Sequence, residues 1–179
     1  MTDWHRVSKS LCFVVLIFGF LSASTYAQSP AASTHGIGSG YEISGTFTHV
    51  LTDGTFGRPL AMNGGTASIS GAILPAVQLT AEVGGYRKTG LTMYSLMAGP
   101  QIKVPVWRVQ PFVRGLFGVS RVSGANEFSI AAGGGLDVPL TARMSLRALQ
   151  CDYYRFKGGA FPKTDLLRVG IGITYSFAR

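Results

Sequence analysis

From Tyr41 to Phe177 the chain is organised by a period of two. Tyr41, Ile43, Gly45 and Phe47 fall on one parity and Glu42, Ser44, Thr46 and Thr48 on the other, which is the signature of a strand with one apolar and one polar face. The last segment is the cleanest instance: Leu167, Val169, Ile171, Ile173, Tyr175 and Phe177 alternate with Arg168, Gly170, Gly172, Thr174 and Ser176. Six further segments lie between, at about 64–74, 77–88, 91–104, 109–121, 126–138 and 143–156. All are long enough to cross a bilayer as tilted strands, which takes ~9 to 11 residues. The pattern predicts eight strands. Two segments resist it. In 143–156, Arg143, Ser145 and Arg147 share a parity with Leu149, Cys151 and Tyr153, so a bulge is expected midway. In 109–121, Arg114 shares its parity with Phe112 and Leu116, so one of those apolar residues must point with the charge or sit near a mouth.

The character of the polar face decides which side meets water. A soluble sandwich or lipocalin-like barrel turns its apolar face inward and covers the outside with Lys and Glu. Here the polar face carries Gly, Ser and Thr interrupted by single charges, as in Gln78, Thr80 and Glu82 or Glu127, Ser129, Gly133, Gly135 and Asp137. That face suits the narrow, crowded interior of a small barrel, and the apolar face then meets lipid. Tyr41, Tyr86, Trp107, Phe112, Phe128, Tyr153, Tyr175 and Phe177 lie near segment ends, where interfacial girdles are expected. Tight turns are predicted near Pro75, at 105–108 and at 139–142, and longer loops at 52–63, 121–126 and 157–164. The short connection at 88–90 breaks this alternation, which otherwise matches short periplasmic turns and long external loops.

The first 27 residues read as an address. Arg6 and Lys9 precede an apolar run from Leu11 to Leu21, and Thr25, Tyr26 and Ala27 follow. This is the pattern of a cleaved secretory signal peptide, too short for the ~20 residues of a spanning helix. Residues 28–39 are expected to form a flexible lead and 40–179 the barrel. Cys12 lies in the removed segment, and Cys151 is read as an apolar filler rather than a nucleophile.

Composition narrows the function classes. The chain has 16 basic and 8 acidic residues, but the basic ones are scattered, with Arg87 and Lys88 the one adjacent pair, so no stripe tracks a nucleic-acid backbone. No His, Cys, Asp or Glu pair stands at a metal-ligand spacing, and no cofactor is expected. Glu42, Glu82, Asp137 and Asp152 are better used as lumen charges facing Arg114, Arg147 and Arg168. His49 with Asp53 is the one conceivable base and orienting acid, without a serine beside it, so no enzyme is expected.

The ending Gly170-Ile171-Gly172-Ile173-Thr174-Tyr175-Ser176-Phe177, with the runs 98–101, 111–113 and 133–137, resembles the small outer-membrane β-barrel family of the OmpA, OmpX and opacity-protein type. The resemblance covers residues 40–179. It implies an eight-stranded, antiparallel, up-and-down transmembrane β-barrel in the bacterial outer membrane, among outer-membrane lipid and lipopolysaccharide. It also implies that Tyr175 and Phe177 belong to the signal read by the barrel-assembly machinery, although Ala178 and Arg179 follow them. No peptidoglycan-binding domain is expected after Phe177. The expected role is non-catalytic: envelope structure or surface contact through the loops, with a narrow channel or a rim lipid-modifying enzyme as alternatives.

Overall fold

The computed structural model describes residues 40–52, 61–157 and 165–177. Eight strands follow one another: β1 Tyr41–Thr52, β2 Ala61–Leu74, β3 Val77–Lys88, β4 Leu91–Lys103, β5 Gln110–Val122, β6 Ala125–Pro139, β7 Met144–Lys157 and β8 Asp165–Phe177. Each pairs antiparallel with its neighbours in sequence, and β1 pairs with β8 from Tyr41↔Phe177 to Thr52↔Leu166. The barrel is therefore closed and leaves no sheet edge unpaired. Among the described residues, no helix is long and apolar enough to cross a membrane.

The alternation fixes which side chains turn inward. In β1, Ser44, Thr46, Thr48 and Val50 are buried, while Tyr41, Ile43, Phe47 and Leu51 are exposed. In β8, Arg168 and Thr174 are buried, and Ile171, Ile173 and Phe177 are exposed. The outer wall continues through Ile69, Leu79, Val83, Leu96, Phe117, Val119 and Phe128, all exposed. Such a continuous apolar belt would aggregate in water and is satisfied by lipid. Strands of 12 to 15 residues, at about 3.3 Å per residue and a tilt of about 40°, rise roughly 30 to 38 Å, more than the ~25 Å apolar band such barrels need.

The bulge expected in the seventh segment is present. Arg147 pairs with Gly172 and Gln150 with Gly170, so Ala148 and Leu149 together face one partner residue. Both Arg147 and Gln150 therefore turn inward although their spacing is odd.

Three expectations are corrected. The loop placed at 121–126 is a two-residue turn at Ser123–Gly124, with Arg121 paired to Asn126 and Val122 to Ala125. Both turn residues have positive φ, 47° and 96°, the geometry that follows the twist of a hairpin, and the Ser-Gly dipeptide was its sequence signal. With the Thr89–Gly90 turn also short, the expected alternation of short and long connections fails at both described turns of that end; 53–60 and 158–164 lie outside the described residues. In β5, Phe112 and Leu116 both point inward with Arg114. Tyr86 and Phe112 belong to the interior rather than to a girdle, because their parity is that of Glu82 and Arg114.

Candidate functional site

In the interior, charged side chains from many strands converge. Glycine and hydroxyl residues make this possible by leaving one wall thin. Ser44 Oγ and Ser68 Oγ lie 2.6 Å apart, Ser70 Oγ and Thr80 Oγ1 2.8 Å, and Ser120 Oγ and Ser129 Oγ 2.6 Å, so the small polar groups bind one another across strands. Long side chains from β3 to β8 fill the remaining width.

Two ionic groups are stacked along the lumen. In the first, Lys103 Nζ stands 2.6 Å from Glu42 Oε2 and 3.0 Å from Asp137 Oδ2. Arg147 grips the same Asp137 with its fork, Nε to Oδ1 at 2.8 Å and Nη2 to Oδ2 at 3.1 Å, and its guanidinium lies 4.4 Å from the Phe112 ring centre. In the second, Arg114 donates to Asp152 through Nε at 3.0 Å and Nη2 at 2.8 Å, and its Nη1 lies 2.9 Å from Glu82 Oε2. Arg168 completes this group. Its Nη1 donates to Glu82 Oε1 and to the Tyr86 hydroxyl, both at 2.6 Å, and its Nη2 and Nε donate to Asp152 Oδ2 at 2.7 and 3.0 Å. Gln150 joins the two groups, accepting from Arg147 Nη1 at 3.2 Å and donating to Asp152 Oδ2 at 3.0 Å.

Glu42, Glu82, Arg114, Asp137, Arg147, Asp152 and Arg168, the seven lumen charges named from sequence, thus all lie in this network. Lys103 was missed, although it shares the inward parity of Ser95 and Gln101 and could have been found by continuing that parity to the end of β4. Four carboxylates, Glu42, Glu82, Asp137 and Asp152, face four cations, Lys103, Arg114, Arg147 and Arg168. Each carboxylate in the Glu82–Asp152 group is held by two guanidinium forks, the arrangement in which desolvated charges recover what burial costs them.

Toward the end of the barrel where β1 finishes, the interior turns apolar. Val50, Met62, Met93, Phe156 and Leu166 form a buried cluster with Tyr86 and Tyr154, and Leu91 and Val122 pack against it. This plug lies between the two ionic groups and that end of the barrel, where Glu127, Ser120 and Ser129 are also buried. Arg168, Thr48, Gln150 and Asp137 are fully buried, so side chains fill the lumen at these levels.

The base and acid considered from sequence do not enter the lumen. His49 is exposed on the outer wall, with Nδ1 2.6 Å from Oδ1 of Asn63, its register partner on β2. Asp53 lies outside the described residues. Among the described residues no group of three or more His, Cys, Asp or Glu could hold a metal ion. Tyr175 and Phe177 sit at the start of the outer wall beside the closing strand β1, their rings edge to face at 4.8 Å.

A closed eight-stranded antiparallel barrel, apolar outside and ionic within, is a transmembrane β-barrel of the small up-and-down class. Solved structures agree on this fold. Neisserial surface protein A superposes with a TM-score of 0.64 at 11% identity, covering 76% of this chain and 97% of that one. The outer membrane protein OprG from Pseudomonas aeruginosa gives 0.55 at 11% identity, over 81% and 99%. Ail, the attachment invasion locus protein of Yersinia pestis, gives 0.52 at 16% identity, over 78% and 97%. No protein-family model and no curated protein matches the sequence. At such identities the likeness is one of fold, and the chain has the fold of the small bacterial outer-membrane barrels.

Proposed function

We propose that this chain is a non-catalytic integral protein of the bacterial outer membrane, whose barrel is a rigid post that carries surface loops rather than a conduit. The side-chain-filled lumen, in which Glu42, Glu82, Asp137 and Asp152 are each held by a cation, supports this reading most strongly. An ion would have to displace the Arg168 and Arg114 forks from Glu82 and Asp152, and then pass the apolar plug, both at high cost in a low-dielectric interior. Localisation in the outer membrane rests on the apolar belt, the closed fold and the outer-membrane proteins that share it. In this reading the loops carry a structural or surface-contact role.

The test is to refold the full mature chain, fuse it into planar bilayers and record current, with fractionation and heat-modifiable electrophoresis as the check on membrane insertion. The expected result is an outer-membrane, heat-modifiable protein that gives no conductance steps. Reproducible steps that grow in Arg168→Ala would replace the post by the narrow channel. Recovery in the soluble periplasmic fraction without a mobility shift would overturn the membrane reading itself.

A further inference from the structure

At the end where β1 finishes, a polar residue appears on the outward face of every strand, and on β1 the apolar Leu51 follows it. Along β1 the outer wall runs Tyr41, Ile43, Gly45 and Phe47 and then reaches His49; along β3 it runs Val77, Leu79, Ala81, Val83 and Gly85 and then reaches Arg87. The first polar positions on β1 to β4 are His49, Asn63, Arg87 and Thr92, and they are successive register partners. On β5 and β6 they are Arg121 and Asn126, also partners, and on β7 and β8 they are Arg155 and Asp165. A closed polar line therefore circles the barrel at the end where β1 finishes and marks where hydrocarbon must give way to headgroups.

Charge on this line is one-sided. Arg87, Lys88, Arg121, Arg155 and Lys157 are all exposed at this rim; the described acids at this end are Asp165, 3.2 Å from Arg155, and Glu127, which is buried on the inner face next to Asn126. Glu42, Glu82, Asp137 and Asp152 are committed to the lumen, where four cations match them. The opposite rim carries only Arg108 and Arg143 among its described cations. The basic surplus that looks scattered along the sequence is thus gathered by the fold into a collar at headgroup depth.

Resting on the outer-membrane reading above, we propose that this collar binds the phosphate groups of anionic lipid in the leaflet at that end, with Arg87, Arg121 and Lys157 as its principal donors. Guanidinium forks suit phosphate oxygens, and His49, Asn63 and Asn126 supply neutral hydrogen-bonding groups between the cations. The occupant is a lipid headgroup and not a soluble anion, because the collar adjoins the apolar belt: acyl chains lie on Phe47, Val83, Val119 and Phe128 while the phosphate meets the cations.

The test refolds the full mature chain into phosphatidylcholine vesicles containing a bis-phosphorylated glycolipid, extracts it in mild detergent and measures the glycolipid retained. The variants are R87Q/R121Q/K157Q, which lies outside the lumen and the apolar belt, and R108Q/R143Q at the other rim. Wild type is expected to retain the glycolipid, the collar variant to lose about ten-fold or more, and R108Q/R143Q to behave like wild type. Equal retention by the collar variant, equal retention of the dephosphorylated glycolipid, or an equal loss in R108Q/R143Q overturns the proposal. Full displacement by millimolar inorganic phosphate overturns the lipid source in favour of a soluble anion. Heat-modifiable mobility, scored in the same samples, separates these outcomes from failure of the membrane reading: chains that never insert overturn both.

Discussion

Replacing Arg168 by Met probes the centre of the lumen. Arg168 makes four hydrogen bonds of 2.6 to 3.0 Å, to Glu82, Tyr86 and twice to Asp152, and its side chain is 1% exposed, as are those of Glu82 and Asp152. In the wild type the two acids face Arg114 and Arg168, a neutral quartet. In Arg168→Met they share Arg114 alone, leaving one buried negative charge uncompensated. Removing one partner of a buried pair costs about 3 to 5 kcal/mol, or about two to three and a half powers of ten in the unfolding equilibrium. Urea titration in phospholipid vesicles, read by the fraction of heat-modifiable barrel and by far-ultraviolet circular dichroism, measures it. The double variant Glu82→Gln/Arg168→Met restores neutrality, and its cost should fall below the sum of the single costs by about 1 to 3 kcal/mol. A loss under about 1 kcal/mol for Arg168→Met, or strict additivity, would refute the reasoning. It would mean that water already solvates these carboxylates, and the channel reading would then gain.

Other perturbations address the remaining parts of the barrel. Gly64→Ala places a Cβ against the Gly85 carbonyl and 2.6 Å from the Tyr86 ring; because Tyr86 is held by Arg168, the variant should lose about 1 to 3 kcal/mol in the same titration. Ile171→Arg puts a charge on the outer wall midway along β8 and should cost about 2 to 4 kcal/mol in vesicles, whereas an unchanged midpoint would deny that this face meets hydrocarbon. Phe177→Ala removes a half-exposed ring at the barrel end; refolding of the purified chain should be little changed, while the yield of heat-modifiable protein in cell outer membranes should drop if Tyr175 and Phe177 carry the assembly signal.

The period of two in Tyr41–Thr48 and Leu167–Phe177 was enough to name strands, faces and a barrel, because side chains on a strand alternate with no freedom to do otherwise. The same parity marks an inward face, on which the expected lumen charges are Glu42, Glu82, Arg114, Asp137, Arg147, Asp152 and Arg168. It failed where geometry is not periodic. Ser123–Gly124 looked like part of a loop because a two-residue turn is fixed by backbone φ and not by hydrophobicity. Tyr86 and Phe112 were assigned to a girdle by their nearness to segment ends, although their parity already turned them inward.

What the sequence alone determined is the fold class, since alternation, strand length and small polar residues leave few other ways to satisfy the backbone in lipid. Only the tertiary structure decided which acid meets which base, which long side chains fill the lumen, and that scattered cations share one rim. Those properties depend on register and closure, which bring Glu42 to Lys103 and Glu82 to Arg168 across separations that no local pattern encodes.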